Sequence, residues 1–241
     1  MDKGKLYQLK KAAAGMIFPL RLCVNCESVS LHEILCSDCR YKQRDLRICP
    51  RCGSFILKTE TEHYLCSGCR QIEHNFVLAR AGMPYEGIIR ERILNFKYNQ
   101  QTGWRRHFFA LVLDAFGRYY ADQGFDAALP VPLSSQRLLG RGYNHTELFT
   151  ELFCAETDIP HRPGYLQRLK DTRPLAELSL RERREEMKGA FFAEKDCVGQ
   201  RLLLLDDIYT SGSTADAASS ALLKAGASSV HVLCLVAGHG I

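Results

Sequence analysis

The chain is 241 residues long, 46% hydrophobic and 24% charged, enough to bury a real core in one or two domains and unlike one long structureless tail. Residues 12–20, an apolar stretch, are few, include Pro19 and run into Arg21 without a small-residue cleavage pattern, which speaks against membrane insertion and for a cytoplasmic protein. The net charge of +5 sits mainly in residues 1–75, with 12 Lys and Arg against 8 Asp and Glu; zinc held by thiolates is net negative and would cancel that excess, so charge alone gives only weak support for a nucleic-acid partner.

Residues 3–11 are basic and Ala12 to Ala14 favour helix, so a short surface helix is expected first. Eight of the 11 cysteines come next as four C-x-x-C pairs, Cys23/Cys26, Cys36/Cys39, Cys49/Cys52 and Cys66/Cys69, separated by nine, nine and thirteen residues. Each pair turns two sulfurs toward one point, and two pairs complete a tetrahedral thiolate shell, so two structural zinc sites are expected. A redox motif would occur once, at a strand-to-helix junction, rather than four times in so short a segment. Pairing in sequence order is the compact choice, with crossed pairing left open. Nucleic-acid binding, protein docking and simple stapling all remain open for such ribbons. Cys154, Cys197 and Cys234 stand alone and are read as packing.

After Cys69 isolated knuckles give way to amphipathic segments, which divides the chain into 1–75 and 76–241. Within 85–98, Tyr85, Ile88, Ile89, Ile93 and Phe96 keep a helical rhythm, and 104–120 forms a second helix. Arg90, Arg92, Lys97, Arg105 and Arg106 gather here among aromatics, either to meet phosphates and bases of single-stranded DNA or as the wet face of two amphipathic helices. Residues 125–131 read as a short buried strand leading into SSQRLLGRGYNHTELF, which starts with serines and turns helical. Residues 201–208 form a strand apolar on both faces, 212–226 an alanine-rich helix and 229–237 another strand, a βαβ unit with a right-handed crossover.

The stretch LLLLDDIYTSGST, residues 202–214, joins these elements. Asp206 and Asp207 emerge where an open parallel sheet places its ligand crevice. Thr210, Ser211, Gly212, Ser213 and Thr214 then open a helix, so backbone N–H groups and hydroxyls can converge on a phosphate. Two adjacent carboxylates suit two neighbouring hydroxyls, as on a ribose. A phosphorylated ribose satisfies both halves, whereas a helix cap after a surface turn explains each half only separately. No Walker A pattern occurs in the chain.

This stretch resembles the 5-phosphoribosyl 1-diphosphate (PRPP) binding motif of type I phosphoribosyltransferases. Together with the cysteine pairs, VPLSSQRLLGRGYNHTEL and TRPLAELSLRERREEMKGAFF, it is similar to the ComF family of competence-associated proteins over nearly the whole chain. The resemblance implies an α/β fold, a doubly wound, mostly parallel phosphoribosyltransferase-like sheet behind a small N-terminal double zinc ribbon. It implies Asp206 and Asp207 on the ribose, 210–214 on the 5-phosphate, and Ser134, Arg137 and Arg141 near the pyrophosphate. Residues 172–183 would be the hood over the site. Leu175 and Glu186 stand where relatives often carry Gln and Asn, which bears on catalytic closure more than on ligand binding. The implied function is a DNA-uptake factor for natural transformation that binds PRPP or a ribose phosphate and works with single-stranded DNA or a helicase or translocase partner. An active transferase moving phosphoribose from Mg²⁺-bound PRPP to a nitrogenous acceptor, and a regulator that senses PRPP without turnover, are the alternatives.

Overall fold

The computed structural model describes residues 21–30, 34–42, 46–57, 65–98 and 102–239. The helix expected near residues 3–14 lies outside them. The cysteine-rich region is built from small pieces: β1 (Arg21–Leu22) pairs antiparallel with β2 (Val29–Ser30), α1 (Ser37–Lys42) comes after them, β3 (Leu46–Ile48) pairs antiparallel with β4 (Phe55–Leu57), and α2 (Ser67–Gln71) closes it. Too little apolar surface is available in such fragments for a core of their own, so they lean on the larger α/β part of the chain.

The remainder alternates strand and helix: β5 (Leu78–Pro84), α3 (Gly87–Tyr98), α4 (Arg105–Tyr119), β6 (Ala127–Pro130), α5 (Ser135–Arg141), α6 (His145–Thr157), β7 (Leu166–Arg168), α7 (Leu180–Met187), β8 (Phe191–Ala193), β9 (Arg201–Tyr209), α8 (Ser213–Lys224) and β10 (Ser229–Ala237). Four strands form one parallel sheet in the order β5-β10-β9-β6. The two central strands are the ones with continuous apolar runs, as expected of strands covered on both faces. β6 lies at an edge, where Pro130 is tolerated because the missing N–H costs no ladder bond. β7 and β8 make a separate antiparallel pair.

The side chains of β9 alternate between two apolar cores. Leu202 and Leu204 join Ala215, Ala218 and Leu222 of α8, Phe76 and the cysteines of the second cluster. Leu203 and Leu205 join Ile93 and Phe96 of α3, Phe108 and Val112 of α4, Phe149 and Phe153 of α6, and Cys23 and Cys39 of the first cluster. Helices therefore cover both faces, and each cysteine cluster packs into the core of one face.

Two local readings change. The serine-to-phenylalanine stretch is two helices, because Gly142 ends α5 in the left-handed region at φ 78° and the Asn144 side chain caps α6 by accepting from the Thr146 N–H at 3.2 Å. Strand β5 was not legible at all: LARAGMP lacks β-branched residues and alternation. Its glycine has a packing reason, since a Cβ at Gly82 would stand 2.6 Å from Leu111, and its outer edge is met by the second cysteine cluster through Ala79 N–H donating to Arg51 C=O at 3.0 Å.

Candidate functional site

β9 delivers Asp206 to the carboxyl end of the sheet, where it lines a small depression with Leu175, Tyr209 and residues 210–214. The loop holds itself together: the Ser211 and Ser213 hydroxyls are 2.9 Å apart, and Gly212 C=O accepts from Asp216 N–H at 2.8 Å as α8 begins. Gly212 is left-handed at φ 75°, and a Cβ there would stand 2.3 Å from the Tyr209 hydroxyl and 3.2 Å from the His74 ring. Glycine is thus demanded by the protein's own packing, a reason that close approach of a phosphate had not suggested. Asp216 in the first turn of α8 accepts from Asn75 N–H at 2.6 Å and from Asn75 Nδ2 at 3.1 Å, tying the loop to the segment that leaves the second cysteine cluster.

Asp207 does not face solvent, contrary to what paired acids for a ribose suggested; it is buried, with 7% exposure. Alternation turns it to the α3/α6 side, where Oδ2 receives Lys97 Nζ at 2.8 Å and His145 Nε2. Arg141 reaches His145 Nδ1 at 3.2 Å. Arginine can only donate, so Nδ1 is the acceptor and the ring proton sits on Nε2, pointed at Asp207. Burial pushes Asp207 up, but Lys97 and His145 outweigh it and hold the carboxyl well below its ordinary value. Burial also keeps His145 below its ordinary value in spite of Asp207, so the ring is neutral. Asp206 is opposite in behaviour: burial and then the Asp207 charge push it up to about 7.

The hood segment brings a residue that spacing had not suggested. Arg168 of β7 donates to Thr172 Oγ1 at 2.5 Å, and Arg137 of α5 donates to Thr172 C=O at 2.8 Å. Both hydrogen-bond partners are neutral. Burial, followed by the Arg137 charge, lowers Arg168 to about 10, with Asp206 and Asp171 pulling the other way. Ser134, at the N-cap of the helix that carries Arg137, is fully buried with its Oγ unpartnered among the described residues. Arg137 and Ser134 share the first turn of α5, while Arg141 lies over the Tyr98 ring, 4.7 Å from its centroid, and serves His145. Arg168 stood in a β-hairpin strand too short for periodicity to mark. Glu186 accepts from Arg173 N–H at 2.9 Å and Arg173 Nε at 3.1 Å, so the carboxylate at this departure from the family pattern anchors the hood.

The cysteines pair in sequence order. Sulfurs of Cys23, Cys26, Cys36 and Cys39, and of Cys49, Cys52, Cys66 and Cys69, lie within 4.8 Å of one another in each set. Sulfurs of Cys26 and Cys36 are 3.5 Å apart and those of Cys52 and Cys66 are 3.6 Å apart, near the edge of about 3.8 Å that a tetrahedron with Zn–S bonds of about 2.3 Å requires. Both sets could hold a metal ion and are compatible with zinc ribbons. The second set is wholly buried against Tyr209, whereas Cys26 and Cys36 of the first are partly exposed.

The basic and aromatic stretch separates into inside and outside. Phe96 and Phe108 are fully buried. Arg92 is buried, donates to Val24 C=O and to Glu27, and lies 4.5 Å over the Trp104 ring. Lys97 belongs to Asp207, so it is neither available to DNA nor part of a wet helix face. Arg105, Arg106 and Tyr98 are exposed. No described helix is long and apolar enough to cross a membrane.

No family model matches the chain. It is 29% identical over 223 residues to Competence protein F of Haemophilus influenzae, covering 87% of this chain and 94% of that protein. It is 27% identical to Competence protein ComFC of Bacillus subtilis, covering 85% and 84%, and 28% identical to the DNA utilization protein YhgH of Escherichia coli O157:H7, covering 85% and 90%. Among solved structures it is similar to the glutamine PRPP amidotransferase of B. subtilis, at 18% identity and a TM-score of 0.38, covering 58% of this chain and only 30% of that one.

Proposed function

Because the chain belongs to the ComF family of competence-associated proteins, we propose that it is a cytoplasmic DNA-uptake factor whose phosphoribosyltransferase-like sheet binds PRPP or a ribose phosphate. The observation that carries the ligand is the meeting of Asp206 with the 210–214 loop in one depression at the carboxyl end of β9. In this reading the loop and the α8 N-terminus take the 5-phosphate, Asp206 accepts from ribose hydroxyls, and Arg137, Arg168 and Ser134 take the diphosphate, which brings Mg²⁺ with it. Two guanidinium groups hydrogen-bonded to one neutral threonine favour a multiply charged anion as their partner. Zinc in both cysteine clusters holds the ribbons closed, since four thiolates leave no open coordination position. Single-stranded DNA or a helicase partner would meet the exposed face carrying Arg105 and Arg106.

Titration calorimetry with PRPP and Mg²⁺ tests the ligand. Binding that Asp206→Asn with Asp207→Asn abolishes in a folded protein is the expected result, and equal affinity in the double variant removes ribose recognition. Following pyrophosphate release with candidate nitrogenous bases separates a transferase from a binding protein.

A further inference from the structure

Lys97 reaches the acid pair from the last turn of α3, its side chain 14% exposed and its Nζ 2.8 Å from Asp207 Oδ2. His145 donates to the same oxygen, so that atom has no lone pair left for a metal. Paired charges this well covered tolerate loss of either partner poorly, because the survivor is left uncompensated. A divalent cation bridging a strand-end carboxylate and a sugar hydroxyl needs an anionic oxygen that is free to bind it. Here an ammonium already fills Oδ2 and sets a positive charge beside the other carboxylate oxygen, where it repels a second cation. Lys97 also lowers Asp206 by its charge, so one cation serves both acids.

We propose that Lys97 is the built-in cation of the ribose end of the site, a positioning residue that holds Asp207 ionised and oriented and keeps divalent metal off that carboxylate. Mg²⁺ then enters only with a diphosphate, and a ribose phosphate without one binds in the absence of metal. The ligand half of this statement rests on the ribose-phosphate reading above; the exclusion of metal does not.

The test uses the zinc-loaded full chain in buffer freed of other divalent ions. Mn²⁺ alone is the first probe, because it prefers oxygen ligands and leaves thiolate sites to zinc. Electron paramagnetic resonance of free Mn²⁺ is expected to show a new binding site in Lys97→Met, none in wild type or Lys97→Arg, and none in Lys97→Met with Asp207→Asn. The last variant removes both charges together and so avoids an uncompensated buried carboxylate. Should Lys97→Met not fold, Lys97→Gln supplies the neutral variant with a donor retained. Equal Mn²⁺ binding by wild type and the neutral variant overturns the proposal. Ribose 5-phosphate is the second probe. Calorimetry is expected to show metal-free binding by wild type, weakening by about tenfold or more in Lys97→Met, and recovery when Mg²⁺ is added. A Mg²⁺ requirement already present in wild type overturns metal-free binding. No ribose 5-phosphate binding by any variant, with the Mn²⁺ contrast intact, overturns the ribose reading and leaves the role of Lys97 standing.

Discussion

In the folded chain Asp206 keeps its proton up to about pH 7, whereas in the unfolded chain it would lose it near pH 4, at about 3.9. The folded state binds more protons between these values, so this group costs stability progressively as pH rises through the window and costs most above it. Asp207, lowered by Lys97 and His145 against its burial, does the reverse: its contribution is complete above about pH 4 and is lost as pH falls below it. Asp206→Asn is therefore expected to melt close to wild type near pH 4 and several degrees higher at pH 8, with thermal melts as the measurement. An equal offset at both pH values would place the effect elsewhere than in ionisation. Gly212→Ala forces an L-residue into the left-handed region, worth roughly 1–2 kcal/mol by itself, and drives its Cβ against the Tyr209 hydroxyl. A loss of at least about 2 kcal/mol in denaturant unfolding is expected, together with weakened ligand binding. Thr214→Val, at the half-buried helix start, should cost less in both.

At the scale of elements, the cysteine clusters are built into opposite faces of one sheet and unequally covered. The first is held on by a side chain: Arg92 of α3 binds Val24 C=O and Glu27 from beneath the first knuckle and stacks on Trp104. Arg92→Met leaves a buried carbonyl unsatisfied and is expected to cost about 2–3 kcal/mol and to speed metal release from Cys23/Cys26/Cys36/Cys39. Zinc release followed with a colorimetric chelator checks it. The second cluster shares its core with Phe76, Leu204 and α8 and presses on Tyr209 next to the 210–214 loop. Because the second cluster shares the core of the sheet and the first does not share that face, loss of metal has a graded outcome. Cys26→Ser should lose one metal with a small change in the melting of the sheet, whereas Cys49→Ser should lower that melting temperature by many degrees and abolish ribose 5-phosphate binding, because the loop loses its support. Equal melting in the two variants would mean that the clusters are interchangeable props.

For the whole molecule, the open question is where DNA or a DNA-handling partner would sit. Aromatics of the basic stretch are mostly interior, and Arg92 and Lys97 are committed to Val24 and Asp207, which leaves Arg90, Arg105 and Arg106 with Tyr98 outside. If single strands bind there, affinity should fall with salt at a log–log slope of about 0.7 per phosphate neutralised. Arg105→Glu with Arg106→Glu should then flatten that slope by roughly 1 to 2 while ribose 5-phosphate affinity stays as in wild type. Fluorescence anisotropy across a salt series measures it, and an unchanged slope would move the contact to another surface. Lys97 has no place in this test, since reversing its charge would disturb the acid pair directly.

The amino-acid sequence by itself determined whatever depends on near neighbours. C-x-x-C spacing turns sulfurs together whichever core they pack into, an uninterrupted LLLL demands cover on both faces of a strand, and TSGST before an alanine-rich segment opens a helix with spare donors. These features were enough for the α/β class, the cysteine clusters and the meeting of Asp206 with the 210–214 loop at the end of β9. Tertiary structure alone decided what those residues touch. Lys97 and Asp207, Arg92 and Val24, and Arg168 and Arg137 meet across long stretches of chain, and no period or spacing encodes such a meeting, because it depends on which helix is packed on which face. The same holds for β5, a strand with weak propensity that exists because β10 pairs with one edge and the second cysteine cluster with the other. Local geometry sets the chemistry a residue can perform, and only packing sets its charge state and its partner.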